Sequence, residues 1–122
     1  MKKIVTFDFD GTIDAEDVQE YAISLMERGI DVWICTSRFE SGIDWSGREW
    51  GNLDIEFVAK KLGIDKIIYT NMVDKWEFLK DSGVIWHLDN DTFEIDEMNI
   101  NSKIKGILIE EDWKEKCETL LF

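Results

Sequence analysis

A chain of 122 residues with 44% hydrophobic content and six Trp is the size of one domain and can bury a real core. Its formal net charge of −13 argues against general nucleic-acid binding, since affinity for a polyanion comes mostly from Lys and Arg. No apolar run approaches the roughly 20 residues of a membrane span. Pro is absent, no linker, repeat or low-complexity tract is visible, and Asp8 and Asp10 interrupt the apolar region a signal peptide would need. A single soluble, cytoplasmic domain over 1–122 is therefore expected.

The apolar stretch Ile4-Val5-Thr6-Phe7 runs directly into Asp8-Phe9-Asp10-Gly11-Thr12. Residues 4–9 read as a first strand, along which side chains alternate, so Asp8 and Asp10 point the same way. Gly11 permits the turn that follows, and both acids then emerge at a carboxyl edge, where open α/β sheets bind ligands. One acid can attack while its neighbour handles protons. Taken alone the run is a moderate signal, because Asp-Gly is also a common turn dipeptide.

A helix over about 15–28 follows, with Asp14 as N-cap, Val18, Tyr21, Ala22, Leu25 and Met26 at helical spacing, and Gly29 as the stop. Residues 30–36 form a second strand closed by Thr36, and 39–51, with Gly42, Gly47, Trp45 and Trp50, are the longest irregular stretch. Asn52 caps a helix carrying Ile55, Val58, Ala59 and Leu62, which ends at Gly63 before a third strand at 66–69. Asp74 opens a short helix to Ser82, with Lys75 at its start. Residues 84–88 are the fourth strand, ended by Asp89, with Asp91 two positions beyond as a turn residue or a cap for the segment beginning at Thr92. Residues 104–109 are the fifth strand, and Asp112 caps a last helix bearing Trp113, Cys117, Leu120 and Leu121.

This alternation predicts an α/β fold: a doubly wound, Rossmann-like, mostly parallel sheet of about five strands with helices on both faces and a ligand crevice where the winding reverses. Only one helix fits between Gly11 and Ile30, and a short one between Thr70 and Val84, so no cap domain is expected and the site is open. Cys35 and Cys117 lie among apolar residues outside any Cys-x-x-Cys pair and read as reduced core residues. His87, the lone histidine, sits in an apolar strand and reads as a satisfied imidazole; Trp33, Trp76, Trp86 and Trp113 fit core positions. Trp45 and Trp50 border the site's mouth, facing substrate or folded back onto the sheet, with Arg38 and Arg48 as cations that can pair with substrate.

Asp-x-Asp-Gly-Thr at Asp8, followed by Thr36, Lys75 and Asp89 at successive strand ends, resembles the motif series of the haloacid dehalogenase-like (HAD) hydrolase superfamily over nearly the whole chain. The resemblance implies a small capless phosphatase in which Asp8 is the nucleophile forming an aspartyl-phosphate and Asp10 the general acid/base. Thr36 and Lys75, with Gly11 and Arg38 beside them, would bind the phosphoryl group. Asp8, the backbone carbonyl of Asp10, and Asp89 would ligate Mg²⁺, a hard cation served by few protein oxygens. An acid at Asp10 favours phosphate-ester hydrolysis over carbon–halogen cleavage. Many members carry Asp-Asp where this chain has Asp89-Asn90-Asp91, which leaves Asn90 or Asp91 as the second group of that motif. A nucleic-acid end stays open as one phosphorylated substrate, and a neighbouring subunit as a lid. Two other readings are a receiver-like signalling domain and a non-catalytic phosphate-binding module. Intact Asp8 and Asp10, and the order Thr36, Lys75, Asp89, favour the hydrolase.

Overall fold

The computed structural model describes residues 2–122. In chain order the elements are β1 (Ile4–Phe7), α1 (Glu16–Glu27), β2 (Asp31–Thr36), β3 (Gly42–Ile43), β4 (Glu49–Trp50), α2 (Leu53–Leu62), β5 (Ile67–Tyr69), α3 (Lys75–Leu79), β6 (Val84–Asp89), α4 (Thr92–Asn101), β7 (Lys105–Leu108) and α5 (Trp113–Leu121). Five strands form one parallel sheet in the order β5-β2-β1-β6-β7. The chain winds outward from β1 to β5, then returns to lay β6 on the other side of β1. That reversal opens a crevice at the carboxyl ends of β1 and β6.

Alternation along the strands divides the core. Val5, Phe7, Val32, Ile34, Trp86 and Leu88 pack under α1, α2 and α5, with Trp86 edge-on to Phe7 at 5.3 Å and stacked on Tyr21 at 6.5 Å. Each such aromatic pair adds about 0.5–1.5 kcal/mol beyond its buried area. Cys35, Leu79, Val84, Met98 and Ile104 pack on the opposite face, under α3 and α4. Both cysteines are free and buried, as expected.

One irregularity decides which face carries the polar groups. β6 pairs with β1 as Ile4↔Val84 and then Thr6↔His87, so β6 holds one residue more than its partner. A bulge of this kind re-aims the side chains beyond it. Val84 packs under α3 and α4, yet Trp86 and Leu88 fill the other core, which leaves His87 and Asp89 on the α3–α4 side with Thr6.

Several local expectations are corrected. β1 stops at Phe7 because Asp10 and Gly11 take up a type II turn, with Asp10 at φ −66°, ψ 117° and Gly11 at φ 77°, ψ 9°. Asp14 does not cap α1: Ala15 stands at the cap, while Asp14 Oδ2 accepts from the Gly11 amide at 3.2 Å. Asn52 stands before α2 without capping it, its Nδ2 donating instead to Phe39 O at 2.9 Å. The stretch 39–51 contains an antiparallel hairpin, β3–β4, and the segment from Thr92 is a helix capped by Asp91, which accepts from Phe93 N at 2.9 Å. On α5, Trp113, Cys117 and Leu121 are buried while Leu120 is exposed.

Between α1 and α5, Glu118 accepts from both Nη atoms of Arg28 at 2.8 Å and from the Tyr21 hydroxyl at 2.5 Å. Among the described residues no helix is long and apolar enough to cross a membrane.

Candidate active site

β1 delivers Asp8, and the turn after it lets the chain close back under the site. The Ile13 amide reaches Asp8 O at 3.1 Å and the Thr12 hydroxyl reaches Asp8 Oδ2 at 3.3 Å. β6 delivers Asp89 from the neighbouring strand, and α3 begins with Lys75. Lys75 is 2% exposed, and its Nζ donates to Asp8 Oδ1 at 2.8 Å and to Asp89 Oδ2 at 2.6 Å. Three residues far apart in sequence therefore meet through two buried ion pairs. Glu94 of α4 accepts from the Lys75 amide at 3.0 Å, which ties the start of α3 in place.

Thr36 ends β2 buried, its hydroxyl accepting from the Arg38 amide at 3.3 Å. Arg38 does not project freely into the crevice. Its Nε and Nη2 fork onto the Asp10 carboxylate at 2.9 and 2.5 Å, while Nη1 and Nη2 fork onto Asp54 of α2 at 2.8 and 2.9 Å. The loop before α3 is stitched to the same segment. Met72 N donates to Ser37 O at 2.8 Å and Asn71 Oδ1 accepts from Glu40 N at 3.3 Å, while Asn71 and Met72 hold positive φ of 53° and 68°. Such conformations cost of order 1–3 kcal/mol each and persist where surrounding contacts enforce them.

Two carboxylates sharing one ammonium are unequally placed. Burial pushes the Asp8 carboxyl up to about 7, with Lys75 pulling against this and Asp89 adding to it. Burial also opposes charge on Asp89, but His87 and Lys75 outweigh it and hold that carboxyl below the ordinary range. Burial disfavours the Lys75 ammonium as well, yet the two carboxylates keep it above its usual value.

A set of oxygens gathers around Asn90. The atom of its amide that faces the site lies 3.1 Å from Asp8 Oδ2, 3.2 Å from Asp10 O and 3.3 Å from Asp89 Oδ1. All three are acceptors, so they call for either the NH₂ end of the amide or a cation. Carboxylate, carbonyl and amide oxygens gathered in this way are the hard donors that Mg²⁺ takes. Among the described residues no three His, Cys, Asp or Glu side chains group to hold a metal. The candidate set has two carboxylates, with a carbonyl and an amide beside them. Gly11 is required here on two counts: its φ is +77°, and a Cβ would stand 2.2 Å from the Asn90 amide.

The hairpin rises beside the mouth. Trp50 stacks on Phe39 at 4.7 Å, receives Arg48 over its face at 4.1 Å and donates to Asp44 Oδ2 at 2.7 Å. Trp45, 95% exposed, folds back onto nothing.

The structure thus brings Asp8, Lys75 and Asp89 into contact, places the Asp10 carbonyl and Gly11 beside them, and ties Arg38 to the Asp10 carboxylate. Thr6, His87, Glu94 and Asp54, which also touch these groups, carry no motif. For Thr6 and His87, strand alternation toward Asp8 and Asp89 was the readable signal.

No protein-family model matches the chain, and no curated protein matches it. Its fold is similar to the crystal structure of a hypothetical protein from Xanthomonas campestris, with TM-score 0.56 and 13% identity over 95% of this chain and 69% of that one. At that identity the likeness concerns the fold.

Proposed function

We propose that this chain is a Mg²⁺-dependent phosphatase of the haloacid dehalogenase-like type, hydrolysing a phosphate monoester through an aspartyl-phosphate on Asp8. The observation that carries this reading is the buried bridge from Lys75 to both Asp8 and Asp89, at 2.8 and 2.6 Å, on the carboxyl edge where the winding reverses. A carboxylate attacking a phosphate dianion meets charge repulsion, which an ammonium held against the nucleophile offsets.

In the first step Asp8 attacks phosphorus, the ester P–O bond breaks, and Asp10 gives the leaving oxygen its proton. In the second, water attacks the acyl phosphate as Asp10 takes a proton back, releasing phosphate and restoring Asp8. Lys75, the Thr36 hydroxyl and the Gly11 amide hold the phosphoryl oxygens, and the Thr12 hydroxyl steadies Asp8. Arg38 joins them in binding the phosphoryl group, since its fork on Asp10 is the contact an arriving phosphate competes for. Asp8, the Asp10 carbonyl and Asp89 would hold Mg²⁺, with Asn90 beside them. When bound, that ion supplies positive charge that offsets repulsion between nucleophile and phosphate.

The test is phosphate release from p-nitrophenyl phosphate and from a panel of phosphorylated metabolites and oligonucleotides, with and without Mg²⁺. Turnover should require the ion and fall at least about 10³-fold in Asp8→Asn. Equal rates for both proteins would leave a phosphate-binding module in its place.

A further inference from the structure

We propose that Thr6 and His87 form a positioning pair for Asp89, presenting one carboxylate oxygen to a divalent cation and reserving the other for the protein. This rests on the reading of Asp89 as a cation ligand.

The sheet itself builds the pair. Thr6 and His87 are register partners on adjacent parallel strands, and His87 and Asp89 are two apart on β6, so all three side chains share the α3–α4 face. His87 Nε2 lies 2.7 Å from Asp89 Oδ2 and Nδ1 lies 2.8 Å from Thr6 Oγ1, with no solvent access to the ring or to Thr6. Donors and acceptors then have one self-consistent arrangement for a neutral ring. Asp89 only accepts, so Nε2 carries the proton; Nδ1 therefore accepts, and the Thr6 hydroxyl donates to it.

Asp89 Oδ2 thereby takes two donors, His87 Nε2 and Lys75 Nζ, and its capacity is spent. Oδ1 takes the Asp91 amide at 3.1 Å and faces the oxygen set around Asn90. The carboxylate is fixed in rotation as well as place. Without the imidazole bond, only the flexible Lys75 side chain and the Asp91 amide would set the carboxylate's rotation. Groups that orient a ligand in this way change metal affinity when removed.

The chain has one histidine, so its ring is read without assignment ambiguity. Long-range ¹H–¹⁵N spectra of the native protein should show protonated Nε2 and bare Nδ1. Isothermal titration with Mg²⁺ or Mn²⁺ alone should show binding weakened about 10- to 100-fold in His87→Leu. His87→Gln, whose amide nitrogen can reach the Nε2 position, should recover most of the loss. Thr6→Val keeps side-chain shape, removes the hydroxyl that holds Nδ1, and should weaken binding while the ring stays protonated on Nε2 against Asp89; it decides the matter where His87→Leu fails to fold. A ring protonated on Nδ1, or native-strength cation binding by a folded His87→Leu or Thr6→Val protein, overturns the inference alone. Absence of cation binding by the native protein overturns the reading of Asp89, and this inference with it.

Discussion

Asp8 shows how far the site departs from a comfortable interior. A carboxyl group raised from 3.8 to about 7 by burial binds a proton more tightly folded than unfolded, so it erodes stability as pH climbs through that window and imposes its full penalty above it. Asp8→Asn should accordingly be more stable than the native protein at pH 8 without metal, by on the order of 1–3 kcal/mol. The gap should close as pH falls toward 3.8. Urea unfolding at the two pH values checks this, and a variant less stable at pH 8 would show that Lys75 already satisfies the charge. Asp8, Thr36, Lys75 and Asp89 were legible as acid, hydroxyl and ammonium groups at strand ends or at the start of the helix that follows. Their partners were not: His87 reads as a satisfied core residue, and so it is, but what satisfies it is Asp89.

Among the elements, α4 and the hairpin escaped the reading of periodicity for different reasons. In α4 only Glu94, Ile95 and Met98 are buried, while Phe93 and Ile100 face outward, so no clean apolar stripe marks it. Strands of two residues, as in β3 and β4, are too short to alternate; the hairpin is held by Asp44, whose carboxylate accepts from Ser46, Arg48 and Trp50. Trp50→Ala removes an aromatic stack, a cation–π contact and a hydrogen bond at once. Hydrogen exchange at the amides of Asp44 and Gly47, which bond within the hairpin, should rise in that variant. Trp45→Ala should leave both exchange and unfolding unchanged within about 0.5 kcal/mol; matching effects from the two substitutions would contradict the division of labour between them.

For the whole molecule, helix–strand alternation was enough to anticipate the doubly wound sheet, whereas strand order was not readable, since pattern alone does not say on which side of β1 a strand lands. The first and last helices are tied by Arg28, Tyr21 and Glu118, with Arg28 foremost in holding the Glu118 carboxyl down from 4.5 to about 2. A depressed carboxyl stabilises the fold above its ordinary value and loses that contribution as pH falls through the folded one. Glu118→Gln should therefore be less stable than native at neutral pH, with the difference vanishing as pH approaches about 2. A difference that persisted in acid would place its origin elsewhere. The extra residue in β6 reaches further than any of these contacts. A regular strand of the same length from Val84 onward would turn Asp89 into the apolar layer and Trp86 toward the crevice. Which side chains reach the crevice is thus encoded in where that extra residue sits as much as in the strand's letters.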